Sequence, residues 1–227
     1  MPLQQGKLKG IADIVLCVDC TGSMQPCIDG IKAQLRTFVQ NLESPKDQLL
    51  PVNWRLRVLG FRDLEHDGSD ALLGLDSPLV DNAADALKQI ESLVADGGGD
   101  EPESALDALW HGVSGTNWRT GCTKVVILFS DASARTALHP DTIASGAPGP
   151  DVDAVAQVCA ERGVWLRIFA PACEVWNRLK IPKAVVTDVA GHDGLGALDF
   201  AEVMTLLAKT VSQASQADHG GVKTVAV

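Results

Sequence analysis

The sequence predicts a doubly wound α/β fold, with a mostly parallel central sheet covered by helices on both faces. Two apolar runs rich in β-branched residues, 11–18 and 124–129, are typical of central strands that are buried on both sides. Segments with apolar residues three and four positions apart alternate with the strands, as crossover helices do over a parallel sheet. No long linker divides the 227 residues, so we expect one Rossmann-like domain.

The first part of the chain alternates strands and helices. At residues 54–61 apolar and polar side chains alternate at first, which predicts a strand that is less buried on one face. Asp81 is a plausible helix N-cap, because aspartate is a preferred N-cap residue and Asp81 directly precedes the helix predicted at 82–94. The predicted elements are a strand at 11–18, a helix at 28–42, a strand at 54–61, a short edge strand at 71–75 and a helix at 82–94.

The second part begins after a break at Gly97, Gly98 and Gly99. Pro102 fits the first turn of the helix that follows. We assign residues 8–211 to the domain and 212–227 to a flexible tail, because the tail is polar and contains glycine. The predicted elements are a helix at 102–113, a strand at 124–129, a loop at 132–150, a helix at 151–162, strands at 164–170 and 184–188, and a helix at 198–211.

Composition excludes several classes of function. With 29 Asp and Glu against 19 Lys and Arg, the chain has a formal net charge of −10 and no concentrated basic face, which excludes nucleic-acid binding. The N-terminus lacks an apolar segment of signal-peptide length, and no apolar run approaches about 18 residues, so we expect a cytoplasmic protein without membrane contact. The six cysteines form no CxxC pair and are interpreted as buried thiols in a reducing compartment, not a zinc site.

Polar residues follow the predicted strands where a doubly wound fold binds its ligands. Asp19, Thr21 and Ser23 alternate directly after the first buried strand, so their oxygens can point to one side of an extended turn. Gly22 allows the chain to turn tightly between the two hydroxyls. One carboxylate and two hydroxyls form a hard, all-oxygen ligand set, which favours Mg²⁺, with Mn²⁺ or Ca²⁺ as alternatives.

Further carboxylates occur at two other places of the same kind. Asp131 follows the second buried strand, and Asp100 lies in the loop that leads into the third helix. A shared cation explains why carboxylates gather at these points. Asp100 can also be an ordinary helix N-cap, and Glu103 is interpreted as a first-turn helix residue favoured by the helix dipole. Asp63 is either an outer residue of the site or the partner of Arg62 in a structural ion pair.

Three segments occur along the chain in this order: the loop that begins at Asp19, the loop that contains Asp100, and the strand before Asp131. Together they resemble the metal-ion-dependent adhesion site of von Willebrand factor type A domains. The loop from Asp19 to Met24 is similar to the family's D-x-S/T-x-S motif, and the strand ending at Asp131 is similar to its last element. The resemblance implies that Thr21 and Ser23 ligate the metal, while Asp19 and Asp131 coordinate it directly or through water. It also implies an open coordination position for an acidic residue of a partner protein.

Asp100 departs from the family pattern, because many members carry threonine at the matching position. A third carboxylate should tighten metal binding and lower the positive charge that attracts an acidic partner ligand. The features at Arg62, Asp63 and residues 97–103 resemble intracellular members of the family, some of which accompany kinases or stress-resistance systems.

The function predicted from the sequence is therefore a metal-dependent protein-protein interaction module and not an enzyme. One alternative is a Mg²⁺-dependent phosphoryl-transfer enzyme of the haloacid dehalogenase type, in which Asp19 would be the nucleophile. That class carries a second aspartate two residues later, where this chain has Thr21. The other alternative is a structural interaction domain whose loop binds no metal.

Overall fold

Strands and helices alternate along the chain largely where the sequence predicts them. The structure is a computed structural model, which describes residues 10–44, 51–99, 101–189, 195 and 199–219. The strands are β1 (Gly10–Asp19), β2 (Val52–Phe61), β3 (Leu72–Leu73), β4 (Thr123–Phe129), β5 (Trp165–Ala170) and β6 (Ala184–Asp188). The helices are α1 (Gln25–Glu43), α2 (Leu64–Asp67), α3 (Ala83–Glu91), α4 (Ala105–Ser114), α5 (Pro140–Ala144), α6 (Val152–Glu161), α7 (Glu174–Arg178) and α8 (Phe200–His219).

The six strands form one sheet in the order β3-β2-β1-β4-β5-β6. Neighbouring strands run parallel except for β3, which pairs with β2 in the antiparallel sense at one edge. This arrangement confirms the predicted doubly wound fold. The strand order reverses at β1, which has β2 on one side and β4 on the other, and ligands bind at the carboxyl ends of the strands beside such a reversal.

The core lies on both faces of the sheet, because successive side chains of a strand point to opposite sides. Along β1, Ile14 and Leu16 pack on the face that is covered by α1, α3 and α8. Val15 and Cys17 pack on the other face, against α4, α6 and α7. All four side chains are fully buried, which agrees with the unbroken apolar run that predicts a central strand. Among the described residues, no helix combines the length and apolarity needed to cross a membrane.

Two predicted element boundaries are wrong, one at the start of α3 and one at the end of α8. The N-cap of α3 is Asn82 and not Asp81, because the Asn82 side chain accepts a hydrogen bond from the Asp85 N–H at 2.9 Å. The last helix does not end at residue 211, and residues 212–219 of the predicted flexible tail continue it. Ala214 and Ser215 are buried and extend the helical spacing of the packed face. Residues 8, 9 and 220–227 lie outside the described part of the chain.

The predicted start of the third helix at Pro102 is also wrong, since α4 begins at Ala105. Glu103 precedes this helix and forms a parallel β-bridge with Ala134, in the segment after β4. The Glu103 N–H donates to the Ser133 carbonyl and the Arg135 N–H donates to the Glu103 carbonyl, each at 2.9 Å. The loop predicted at 132–150 contains this pairing and the short helix α5. This isolated bridge places Glu103 outside the helix and beside the segment that follows β4.

Candidate metal centre

The carboxylate at the end of β1 orients two hydroxyl groups. Asp19 is fully buried, and its Oδ1 accepts hydrogen bonds from the Thr21 hydroxyl at 2.8 Å and the Thr21 N–H at 2.9 Å. Its Oδ2 accepts from the Ser130 hydroxyl, just after β4, at 2.7 Å. Because Thr21 donates its only hydroxyl proton to Asp19, its oxygen lone pairs are left to face a cation. The two neighbouring strand ends are thus joined through one aspartate.

A cavity of about 340 Å³ opens above these strand ends. Thr21, Ser23 and Asp131, three of the residues predicted to bind the metal, all line it. Asp19 lies directly beneath, held to Thr21 by the hydrogen bonds above. Asp100, the remaining predicted ligand, lies outside the described residues, although its neighbours Gly99 and Glu101 line the cavity. The structure therefore brings four of the five predicted residues together.

Glu103 is a member of this cavity that the sequence reasoning missed. Its side chain lines the cavity, the residue is only 3% exposed, and its Oε2 has no hydrogen-bond partner among the described residues. Burial, followed by the charges of Asp19, Asp63 and Asp67, raises the pKa of Glu103 to about 8. A buried carboxyl with an unpaired oxygen is costly unless a ligand pairs with it.

Burial also raises the pKa of Asp19 to about 6, against the hydrogen bonds from Thr21 and Ser130 that lower it. The rise in both carboxyl groups has the same physical origin. In each case a carboxylate is buried near other carboxylates, with too few positive groups to compensate the negative charge. A bound cation would supply the missing positive charge.

The loops around the cavity are tied together by an ion pair that the sequence reasoning did not anticipate. Asp63, at the N-terminus of α2, binds the guanidinium of Arg135 through two hydrogen bonds of 2.9 and 2.6 Å. The alternative of an Asp63–Arg62 ion pair is wrong, because Arg62 donates instead to the backbone carbonyls of Cys20 and Val94. The Asp63–Arg135 pair joins the start of α2 to the segment after β4, with which Glu103 pairs through its backbone.

The glycine run 97–99 forms one wall of the cavity. Gly98 has φ +80°, and its N–H donates to the Asp67 carboxylate at 3.0 Å. A Cβ at this position would lie 2.6 Å from Thr21 Cγ2 and 3.3 Å from Glu103 Oε1. Glycine is thus required here both for the backbone conformation and for the approach to Thr21.

We expect Gly98→Ala to disturb the cavity, since the new methyl group must displace Thr21. Gly121→Ala is the matched control, because Gly121 has φ +71° but open space around its Cβ position. Both variants should lose about 1–2 kcal/mol of stability from backbone strain. Only Gly98→Ala should also lose Mn²⁺ binding in a calorimetric titration. Equal Mn²⁺ binding by the two variants would contradict this role for Gly98.

The donor set fits a hard cation that is held partly by hydroxyl groups. Among the described residues, no three His, Cys, Asp or Glu side chains converge closely enough to hold a metal ion by themselves. A cation here would therefore depend on the oxygens of Thr21 and Ser23, or on water, as well as on carboxylates. The unpaired Glu103 oxygen and the wall without side chains at Gly98 both suit such an ion.

Comparison with known protein families shows to which family the chain belongs. Residues 13–183 match the family model described as the von Willebrand factor type A domain. The chain belongs to the von Willebrand factor type A family. This confirms the family that the Asp19–Met24 loop and the strand before Asp131 indicate in the sequence. In this von Willebrand factor type A domain, those two segments lie side by side at the cavity.

Solved structures share the fold of this von Willebrand factor type A domain. A von Willebrand factor type A structure from Catenulispora acidiphila has a TM-score of 0.58 and 12% identity, covering 90% of this chain and 43% of that chain. The D319A mutant of the PilB minor pilin from Streptococcus sanguinis has a TM-score of 0.56 and 11% identity, with coverage of 94% and 65%. Proximal thread matrix protein 1 from the mussel byssus, with a zinc-occupied MIDAS motif, has a TM-score of 0.55 and 17% identity, with coverage of 88% and 46%.

At these identities the likeness concerns the fold alone. The chain spans less than two thirds of the length of each of these solved chains. No curated protein matches the sequence.

Proposed function

We propose that this domain is a metal-dependent protein-interaction module whose cation sits at the cavity above β1 and β4. The observation that carries the proposal is the Glu103 carboxyl, buried at the cavity with an Oε2 atom that lacks a hydrogen-bond partner among the described residues. Membership of the von Willebrand factor type A family supports the same conclusion. A divalent cation satisfies this oxygen and compensates the neighbouring carboxylates at once.

Each residue of the site has a distinct role in this proposal. Thr21 and Ser23 would offer hydroxyl oxygens, and Glu103 and Asp131 would offer carboxylate oxygens, directly or through water. Asp19 would fix the hydroxyl of Thr21 through the hydrogen bond already described. Asp100 stays a predicted ligand. Once bound, the cation would supply positive charge for an oxygen of the partner, for which the sequence predicts an acidic residue.

The chemistry of the donors supports a hard divalent cation. Hydroxyl and carboxylate oxygens suit Mg²⁺, Mn²⁺ or Ca²⁺. Two thiols lie close to the loop, but burial raises the pKa of Cys20 to about 12 and that of Cys27 still higher, so both stay protonated. Thiols that stay protonated do not act as soft metal ligands. We propose Mg²⁺ as the resident ion.

The phosphoryl-transfer alternative fits the site less well. A nucleophilic aspartate must present a free carboxylate oxygen to its substrate. Asp19 is fully buried, and both of its oxygens accept hydrogen bonds from Thr21 and Ser130. We therefore propose a non-catalytic role. We also propose a cytoplasmic location, with which the six free cysteines are compatible.

Thermal unfolding in the presence of Mg²⁺ tests this function. A cation at about 100 times its Kd stabilises the folded state by about 2.7 kcal/mol, or roughly 5–10 °C in a domain of this size. We expect the wild type to show this shift with millimolar Mg²⁺ or Mn²⁺. Ser23→Ala, which removes an exposed hydroxyl from the cavity, should lose most of it.

Ser92→Ala is the matched control, because Ser92 is an exposed serine at the end of α3, away from the cavity. It should keep the full shift. An unchanged melting temperature with Mg²⁺, Mn²⁺ and Ca²⁺ in the wild type would overturn the proposal in favour of an interaction domain without metal.

A further inference from the structure

We propose that this domain binds a carboxylate group in a second cavity, where the carboxylate pairs with the buried guanidinium of Arg57. The cavity has a volume of about 410 Å³ and lies beside β2, next to the turn that follows α4. No described residue lines both this cavity and the candidate metal centre. The inference therefore stands independently of the proposed function.

Arg57 lies in the middle of β2 and is buried against the expectation from its sequence. Arg55 and Arg57 alternate with apolar residues, which predicts a less buried face of the strand. In the structure the segment 75–80 runs alongside β2, since Leu56 and Val80 exchange two backbone hydrogen bonds of 2.7 and 2.8 Å. Arg57 is enclosed there and is only 3% exposed.

Every hydrogen-bond partner of Arg57 is a neutral group. Its Nη1 donates to the Gly115 carbonyl at 2.8 Å and to the Thr116 hydroxyl at 3.1 Å, and its Nη2 donates to the Leu75 carbonyl. Its Nε is buried and has no hydrogen-bond partner in the described part of the chain. Gly115 caps α4, and the carboxyl end of a helix carries only about half a unit of negative charge. The full charge of Arg57 is therefore compensated only in part.

The neighbouring arginine on the same face of β2 has the carboxylate that Arg57 lacks. Arg55 lines the same cavity, but its guanidinium binds Asp13, and this hydrogen bond raises the pKa of Arg55. Asp13 is also shared with Arg119. In Arg57 burial instead lowers the pKa, and the nearby charge of Asp76 offsets only part of this effect. Because an arginine stays protonated at neutral pH, Arg57 remains a buried charge that a bound anion would stabilise.

Arg167 is a second arginine that binds carbonyl groups and has a pKa lowered by burial. It is half-buried, and its guanidinium lies over the Trp165 ring, 5.9 Å from the centroid, where the π face supplies negative charge. Among the described residues, no aromatic ring lies over Arg57 in this way. Arg167 does not line the cavity, so it is an internal control for the tests below.

The cavity favours a carboxylate over a more highly charged anion. A carboxylate accepts two parallel hydrogen bonds from a guanidinium and binds it more strongly than a neutral carbonyl does. Leu75 is 40% exposed, so a carboxylate can displace its carbonyl from Nη2 and take the adjacent Nε–H as the second donor. Asp76 is exposed and lines the cavity, where its charge would repel a phosphate more than a carboxylate.

The rest of the cavity can hold the group that carries the carboxylate. The side chains of Ser77 and Asn117, a hydroxyl and an amide, belong to residues that line it and can donate further hydrogen bonds. Its volume suits a small organic acid or the acidic side chain of a peptide. Both sources present the same chemical group, and the experiment distinguishes them.

An NMR titration with sodium acetate tests the proposal. The Nε–H signals of Arg57 and Arg167 are followed in ¹⁵N-labelled protein while acetate replaces chloride at constant ionic strength. We expect the Arg57 signal to shift to saturation with a Kd on the order of 1–10 mM, as weak binding of a single group gives. The Arg167 signal should stay in place. A shift that does not saturate, or an equal shift of both signals, would overturn the proposal.

Peptide and phosphate titrations identify the source of the carboxylate. One peptide is a blocked glycine pentapeptide with a central aspartate, and its control has asparagine instead. Tighter binding of the aspartate peptide than of acetate assigns the site to a protein segment, and equal or weaker binding assigns it to a small organic acid. Either result supports the proposal. A shift with the asparagine peptide, or phosphate binding at least about tenfold tighter than acetate, would overturn the assignment to a carboxylate.

Two variants of equal net charge locate the site. Asp76→Asn removes the exposed carboxylate at the cavity, and Glu202→Gln removes an exposed one from α8, on the other face of the sheet. Asp76→Asn should tighten acetate binding by about threefold, as the loss of one nearby screened charge gives. Glu202→Gln should leave it unchanged. Equal changes in both variants would attribute the effect to the overall charge of −10 and overturn the proposal.

Arg57→Lys tests the residue itself, because lysine keeps the charge but lacks the paired N–H groups. Followed through the side-chain amide signal of Asn117, acetate binding should weaken at least about fivefold. Arg167→Lys is the matched control and should bind acetate as the wild type does. Unchanged binding by Arg57→Lys would contradict the proposal. Asp76→Asn changes an exposed residue and keeps the proposal testable if Arg57→Lys does not fold.

Discussion

Replacing Glu103 with glutamine should weaken Mg²⁺ binding by at least about tenfold, because carboxylate ligands set much of the affinity of oxygen-donor sites. The same change should stabilise the metal-free domain at about pH 9, above the raised pKa of Glu103, which is about 8. There the buried carboxylate is charged and repelled by Asp19, Asp63 and Asp67, whereas the amide is neutral. Loss of binding together with a gain of stability is the signature of a functional residue held at a cost in stability.

Calorimetry with Mg²⁺ and thermal unfolding without metal measure the two effects. A gain of about 1 kcal/mol raises the melting temperature of a domain of this size by about 2–4 °C. Glu91→Gln, at the exposed end of α3, is the control and should change neither quantity. If Glu103→Gln bound Mg²⁺ as tightly as the wild type, Glu103 would not belong to the centre.

Replacing Asp13 with asparagine should destabilise the domain by about 3–5 kcal/mol, the usual cost of breaking a buried ion pair. Asp13 is fully buried near the start of β1, at the opposite end of the strand from Asp19. Arg55 binds its carboxylate with two hydrogen bonds of 3.0 and 2.7 Å. Arg119 adds one from its side chain and one from its backbone N–H, both at 2.8 Å. The substitution leaves two guanidinium groups without their shared carboxylate.

The loss should depend on pH in a defined direction. Burial raises the pKa of Asp13, whereas the hydrogen bonds and charges of Arg55 and Arg119 lower it. The lowering effects together are larger, so the pKa of Asp13 lies below its ordinary value. Because its pKa is lower in the folded state, the ionised Asp13 carboxylate stabilises the fold. This stabilisation is complete at pH values above the unfolded-state pKa of about 4. This contribution is lost as the pH falls through the lower, folded-state pKa.

Urea unfolding at about pH 7 and at about pH 3 measures the dependence. The gap in stability between wild type and Asp13→Asn should narrow at the lower pH. Asp85→Asn is the control, because Asp85 pairs with Lys88 on the exposed surface of α3 and should contribute little. Mg²⁺ affinity should be unchanged in both variants. An equal gap at both pH values would contradict the role given to the Asp13 ion pairs.

The sequence predicts those parts of the fold and site that follow from local pattern. β1 contains the unbroken apolar run 14–18 and β4 the run 125–129, and such runs predict buried parallel strands. In a doubly wound sheet the carboxyl ends of such strands meet at one edge, so the proximity of the Asp19 loop to Asp131 follows from the fold class. The family resemblance rests on the same two segments and is confirmed over residues 13–183.

The features that the sequence did not reveal depend on contacts between distant segments. Glu103 lines the cavity because it pairs with the segment after β4. The local sequence pattern instead predicts a helix that starts at Pro102, whereas α4 starts at Ala105. The Asp63–Arg135 pair joins residues 72 positions apart, whereas Arg62 is the neighbour that a local reading chooses. Both choices are reasonable as local chemistry and are overridden by tertiary contacts.

Helix ends show the same limitation on a smaller scale. Asp81 and Asn82 are both good N-cap residues, and only the backbone conformation selects Asn82. Beyond residue 211 the sequence is polar enough to suggest a frayed tail. The helix α8 nevertheless continues, because small residues such as Ala214 and Ser215 pack against the domain.

A crystal structure of the domain grown with Mn²⁺ tests the central claim most directly, since the anomalous signal locates the ion. We expect a single peak in the cavity, bonded to oxygen atoms of Thr21, Ser23 and Glu103, directly or through one water, with Asp19 and Asp131 alongside. Crystals of Asp19→Asn grown in the same way should lack the peak. A peak elsewhere, or none at millimolar Mn²⁺ in the wild type, would contradict the assignment of this cavity as a metal centre.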